Sequence, residues 1–181
     1  MKVSREKMAE NRSRILTEAC RLFQQKGFDG VTVAEVMRAA GLTHGGFYGH
    51  FRSKQDLIAQ MLEHRRQKMQ DAPKSLDFFL DTYLSQTVCH DPAKGCHIPT
   101  LAPEMSRQNP EAREAMTESI RLQIDRLCGL SEATDPAARR RDAIRNWAAL
   151  VGAVTLSRAS NDPALSEEIL AAVRGQISGA S

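Results

Sequence analysis

Long apolar runs are missing from this 181-residue chain; the longest, Trp147 to Leu156, is far too short for a bilayer, which needs about 20 apolar residues. The opening MKVSREKMAE has no apolar stretch of the kind a secretory signal requires, so a cytoplasmic location is expected. Aromatic residues are scarce, at 5%, and no segment alternates apolar and polar residues as a half-buried strand would. Internal repeats and low-complexity tracts are absent too. Four cysteines in a chain without an export signal read as free thiols rather than a disulfide framework. The sequence also lacks a phosphate-binding loop, HExxH, Gly-x-Ser-x-Gly and paired carboxylates with a matching base. These absences point away from an enzyme, and no cofactor or metal is expected. What remains is a 41% hydrophobic chain rich in Ala, Leu, Arg, Glu and Gln, which predicts an all-α fold.

Charge is unevenly spread. Residues 1–54 hold 10 Lys/Arg against 5 Asp/Glu, a net of +5, whereas the remainder holds 15 against 17, a net of −2. Lys2, Arg5, Lys7, Arg12 and Arg14 form a basic arm and helix start. Two readings stay open for it: a solvated, disordered arm, or contact with phosphates or a minor groove.

The basic end contains the most telling stretch, Thr32 to Lys54. Thr32 with Glu35 three residues on forms a capping box. Val33, Val36, Met37 and Ala40 recur at helical spacing, and Gly41 ends that helix. A second helix, His44 to Phe51, carries Gly45, Gly46 and Gly49, each costing about 1 kcal/mol relative to Ala. Phe47 and Phe51, four apart, are its expected buried anchors. The glycines suit either close approach of backbone to a partner or a flexible loop beside a small core. The joined pair has the form of a helix-turn-helix.

These residues resemble the DNA-binding domain of the TetR/AcrR family of bacterial regulators. The likeness runs from Asn11 to Asp56 and rests on Ile15, Ala19, Leu22, Phe23, Gly27-Phe28, Thr32-Val33, Ala40-Gly41-Leu42, Phe47-Tyr48-Gly49-His50-Phe51 and Ser53-Lys54. It implies an N-terminal three-helix helix-turn-helix domain over residues 9–56, with the motif itself at 32–51. A C-terminal helical ligand-binding and dimerisation domain would fill 57–181. It further implies a homodimer on a palindromic operator in double-stranded DNA, released by a small-molecule inducer. His44 is the expected base-edge contact, and Gly45 and Gly46 offer backbone at contact positions. Tyr48, His50, Lys54 and Thr32 are expected to meet phosphates. Thr43 either contacts phosphate or caps its helix, and Arg38 is expected to be solvated. An activator of the same fold is an alternative.

Helical periodicity predicts further helices at about 9–26, 53–70, 75–89, 98–107 (interrupted near Pro103), 109–128, 136–160 and 163–177. The Arg141–Arg158 stretch is apolar nearly all round, so it needs cover from two sides. Ile144, Trp147, Ala148, Val151 and Val154 are assigned to one side, and Ala149, Leu150, Ala153 and Leu156 to the other. A second copy is one candidate cover. An inducer cavity is expected from Phe78, Phe79, Tyr83, Met105, Met116 and Trp147, all of which also read as core. Cys96, next to Lys94-Gly95 and before a helix, could be a low-pKa thiol, and a redox- or electrophile-sensing regulator is a second alternative. Cys89-His90 and Cys96-His97 do not have standard zinc spacing. Cys20 and Cys128 are expected to be buried packing residues.

Overall fold

The computed structural model describes residues 4–69 and 75–179. Nine α-helices account for most of them, and no strand occurs among the described residues. They are α1 (Arg5–Lys26), α2 (Val33–Ala39), α3 (Lys54–Gln67), α4 (Leu76–Tyr83), α5 (Gln86–His90), α6 (Ile98–Leu101), α7 (Pro110–Leu130), α8 (Pro136–Ala159) and α9 (Pro163–Ser178). Three 3-10 segments, His44–Gly49, Pro92–Lys94 and Ala102–Arg107, complete the path. Helix α1 packs on α2 and α3, α3 lies along α7, and α7, α8 and α9 pack in succession. The all-α expectation therefore holds.

Local chemistry sets most boundaries. Ser4, Asn109, Asp135 and Asp162 accept from backbone amides at the starts of α1, α7, α8 and α9. Prolines follow the last three at the first helical position, where a missing N–H costs nothing. Two boundaries differ from expectation. Helix α1 starts at Arg5 rather than near Ala9, because Ser4 caps it, so the described part of the basic arm is helical. Lys2, the arm's first cation, lies outside the described residues, as does the expected end of the fourth helix near Gln70. The single helix expected over 75–89 is broken after Leu84, where Ser85 takes extended backbone angles and caps α5 by accepting from the Val88 amide.

The predicted faces of α8 also need correction. Its buried stripe is Ala143, Trp147, Leu150, Ala153, Val154 and Ser157, so residues assigned to opposite sides share one core face. Ile144 and Leu156 remain 46% and 57% exposed. Cys20 and Cys128 are half-buried rather than fully buried.

The helix-turn-helix end is joined to the rest through the segment Val88–Glu104. Gln24 of α1, 2% exposed, donates to the carbonyls of Pro92 and Gly95. Arg65 of α3 donates to the same Gly95 carbonyl at 3.0 Å. Arg158 of α8 reaches the Val88 and Cys89 carbonyls at 2.8 and 3.0 Å and the Thr100 hydroxyl at 2.8 Å. Glu104 returns across the joint, accepting from the Phe28 amide at 2.9 Å. Gly27, at φ 73, leaves room for that carboxylate, since a Cβ there would stand 2.6 Å from it.

His97 sits fully buried within this segment, with neither ring nitrogen hydrogen-bonded. Burial, helped by the Arg65 charge, pushes its pKa down to about 3. The unfolded chain then binds a proton that the folded chain refuses. Stability is accordingly retained above pH 6.5 and lost progressively as pH falls toward 3. Between pH 7 and 5 this group alone should cost about 2 kcal/mol. Thermal melts over that range should show a fall in Tm of roughly 4–8 °C, much reduced in His97→Leu. An equal fall in the variant would assign the pH dependence to other groups.

Candidate nucleic-acid interface

The recognition region is assembled from its caps inward. Thr32 Oγ1 accepts from the Glu35 amide at 3.2 Å, and Glu35 returns by accepting from the Thr32 amide at 2.8 Å. The Thr32 amide and hydroxyl, then Lys26, hold the Glu35 carboxyl down to about 2. Helix α2 ends in a Schellman arrangement: Leu42 N–H bonds to Met37 O and Gly41 N–H to Arg38 O. Gly41 takes φ 67, a backbone shape that favours glycine. Arg14 caps the end from outside by donating to the Ala40 carbonyl.

The expected helix at 44–51 is a 3-10 turn, His44–Gly49. Gly46 N–H bonds to Thr43 O and His50 N–H to Phe47 O, the i to i+3 pattern. Three glycines in six residues leave too little helix propensity to hold a full α-turn. Phe47 and Phe51 do anchor it, 1% and 2% exposed, with ring centroids 5.6 Å apart. Arg12 clamps the far end by donating to the His50 carbonyl at 2.7 Å with its guanidinium over the Phe51 ring. Arg12 thus staples α1 to the turn and Arg14 staples it to the end of α2.

The turn presents a bare outer surface. His44, Gly45, Gly46 and Gly49 are exposed, and Tyr48 is 72% exposed. Thr43 occupies the cap position, yet its side chain makes no capping bond. That removes the capping alternative and leaves the hydroxyl available. Thr32 is exposed but already engaged with Glu35. His50 is half-buried, and burial with the nearby Arg12 charge lowers its pKa, which favours the neutral ring. Lys54 opens α3, half-exposed, and Arg38 is exposed on α2 as expected. Arg52 was not anticipated: its side chain is 92% exposed, with only a loose 3.7 Å contact to Asp56. Its sole sequence signal is its place between the Phe51 anchor and the Ser53 cap.

None of the three glycines is demanded by the fold. Only Gly27 and Gly41 have positive φ among the described residues. A Cβ added at Gly45 or Gly49 would meet nothing within 4 Å, and one at Gly46 would meet only Met37 at 3.6 Å and Thr43 at 3.8 Å.

In the C-terminal half, Phe79 stacks on Tyr83 at 5.6 Å, and Tyr83 meets Trp147 edge-on at 5.3 Å. Met105 and Met116 are also buried. Phe78 is 52% exposed, which removes it from the expected cavity wall. The Tyr83 hydroxyl has no well-formed hydrogen bond and lies against the Cys96 thiol. Cys96 itself is not the low-pKa thiol expected. Burial pushes it up, outweighing the Ile98 amide, the Tyr83 hydroxyl and the charges of Arg65 and Arg158.

A buried-anchor turn behind a capped helix, exposing backbone and polar side chains at the basic end, is the arrangement of a helix-turn-helix motif. The family model for bacterial regulatory proteins of the tetR family matches residues 15–61, the part of the chain that holds the helix-turn-helix. LmrA of Bacillus subtilis, an HTH-type transcriptional regulator, is 28% identical over 124 residues, 62% of this chain and 66% of LmrA. The HTH-type transcriptional repressor NemR of Escherichia coli is 27% identical over 125 residues, 62% of each chain. The match to AcrR of Shigella flexneri spans only 28% of that protein, at 38% identity over 60 residues, 33% of this chain. The structure of reduced E. coli NemR superposes with a TM-score of 0.72 at 26% identity, over 91% of this chain and 95% of that one. A TetR regulator from Legionella pneumophila shares the fold, with a TM-score of 0.79 at 20% identity over 99% of both chains.

The raised Cys96 pKa has a direct readout. With Cys20, Cys89 and Cys128 changed to Ser, alkylation of Cys96 by iodoacetamide at pH 7 should run slower than that of free cysteine. Unfolding in urea should accelerate it. Labelling faster than free cysteine in the folded protein would show a thiolate that this packing does not support.

Proposed function

We propose that the chain is a homodimeric repressor that binds a palindromic operator in double-stranded DNA and is released by a small-molecule inducer. The carrying observation is the set of glycines that the fold does not need. Glycine lowers helix stability in the free protein, and here neither φ nor packing explains it. A backbone that must lie against a partner does. On this reading His44 meets base edges while Gly45, Gly46 and Gly49 let the turn approach the groove. Thr43, Tyr48, His50, Arg52 and Lys54 contact phosphates, with Thr32 contributing at the cost of its bond to Glu35. The DNA-binding domain spans 9–56 and the regulatory domain 57–181. Phe79, Tyr83, Met105, Met116 and Trp147 supply apolar wall for an inducer.

Two copies follow from the outer face of α8. Ile144 and Leu156 there, and Leu165 at 45% exposed on α9, are large apolar side chains that a second chain would cover. A two-fold dimer would set its recognition turns about 34–36 Å apart, or a multiple of that, matching a palindrome. Such a protein acts where the chromosome is, and no helix among the described residues is long and apolar enough to cross a membrane.

A second reading, redox sensing through Cys96, is favoured by position rather than reactivity. Cys96 follows Gly95, whose carbonyl joins α1, α3 and the central segment. Oxidant-induced loss of DNA binding that is absent in Cys96→Ser would support it, and an equal response in both proteins would remove it.

If the glycines serve close approach to DNA, alanine there moves stability and binding in opposite directions. Gly45→Ala and Gly49→Ala should each leave stability unchanged or raise it by about 0.4–1 kcal/mol. Each should weaken binding to DNA from upstream of the protein's own gene by roughly tenfold or more, read by fluorescence anisotropy against excess unrelated duplex. Full affinity in both variants would mean that the backbone does not approach DNA there.

A further inference from the structure

A cavity of about 300 Å³ opens between α1, α3 and the Pro92–Lys94 turn, away from the aromatic core of Phe79, Tyr83 and Trp147. Its wall carries Arg21, His64, Arg65, Lys68 and Lys94, with Asp91 as the lone acid. With His64 neutral, four cations face one carboxylate. Glu18 balances Arg21 at 2.8 Å and Asp91 balances Lys94 at 3.4 Å. No carboxylate among the described residues lies within ion-pair distance of Arg65 or Lys68.

Arg65 Nε and His64 Nε2 have no hydrogen-bond partner, but both atoms are shut off from solvent, so it is the rest of the Arg65 guanidinium that meets the cavity. A guanidinium without a carboxylate partner finds its strongest complement in an anion. Arg65 is also fixed in place, since its Nη2 donates to the Gly95 carbonyl at 3.0 Å. The cavity therefore combines a preset guanidinium, two mobile ammonium groups and a second guanidinium on the opposing helix. Its volume is that of about ten water molecules in the liquid, room for a small metabolite.

We propose that this cavity binds a small multivalent oxyanion, carrying carboxylate or phosphate groups, between Arg21 and Arg65 with Lys68 and Lys94 closing over it. Arg21 belongs to the helix-turn-helix end and Lys94 to the central segment. A bound anion would add a ligand-dependent tie beside the permanent bonds of Gln24 and Arg65. The binding claim does not depend on the repressor reading.

Isothermal titration of the full chain with citrate, and separately with inorganic phosphate, tests it at an ionic strength held constant with KCl. Saturable binding at one anion per chain is expected. Lys68→Gln should weaken it roughly two- to fivefold, and Lys68→Gln with Lys94→Gln about tenfold or more. Both lysines are exposed, so circular dichroism should show an unchanged fold. Lys54→Ala, on the proposed DNA surface, should leave the affinity unchanged. Tighter citrate would assign a carboxylate ligand and tighter phosphate a phosphoryl one, and either supports the site. Heat no different from added chloride would overturn the proposal. So would affinity lost in Lys54→Ala but kept in the Lys68/Lys94 variants, which would place the anion on the DNA surface.

Discussion

The carbonyls of the Val88–Gly95 segment have to find donors inside the protein, and the rest of the structure is arranged around that need. The last carbonyls of short helices have no partner within the helix and stay unpaired unless side chains supply the bonds. Three helices do so here. Gln24 comes from α1, Arg65 from α3 and Arg158 from α8. Because α1 also carries Arg12 and Arg14, the helix that reads the state of the central segment is the helix that clamps the recognition turn. A shift of the segment by an ångström would have to break a bond to Gln24 or carry α1 with it. That bond ties α1 to the central segment, beside the packing of α3 along α7.

The same economy shows in the recognition turn. Its hydrophobic attachment is confined to Phe47 and Phe51, and its ends are held by α1 and by the α2 Schellman cap. The outer residues are then released from any structural duty. This explains how a turn made of poor helix formers stays in place: its position is imposed by neighbours. The cost in propensity is local and offset by two buried aromatic rings.

Much of this was legible in the sequence, and the pattern of success is physical. The Thr32–Glu35 box, the Gly41 stop, the proline-led starts of α7, α8 and α9 and the two phenylalanine anchors depend on near neighbours along the chain. Spacing alone reveals such interactions. The staples of Arg12, Arg14 and Gln24 bridge 26 to 71 residues, and nothing in their local sequence separates them from solvated side chains. The 3-10 form of the turn and the break after Leu84 were missed because capping by Ser85 and glycine entropy compete with apolar periodicity, which continues through both. Cys96 failed for a related reason. The sequence displays Lys94 beside it, whereas burial, which decides its pKa, is a property of the packed state.

Helix α8 shows where a single chain stops being a sufficient explanation. Its buried stripe steps 143, 147, 150, 154, 157, the alternation of four and three that places one seam against α7 and α9. A helix serving only that seam needs polar residues elsewhere in its middle turns. Instead Ile144, Ala148 and Leu156 are apolar and exposed, and Gly152 has open space where a Cβ would be. Solvent gains nothing from that composition, and the monomer loses helix propensity at Gly152. Both become favourable once a second helix lies against the outer face, because small residues permit close approach and the apolar ones leave water. The outer face of α8 and the recognition turn are alike in this respect. In each place the residues are poor choices for the isolated chain and good ones for a surface that is met by a partner.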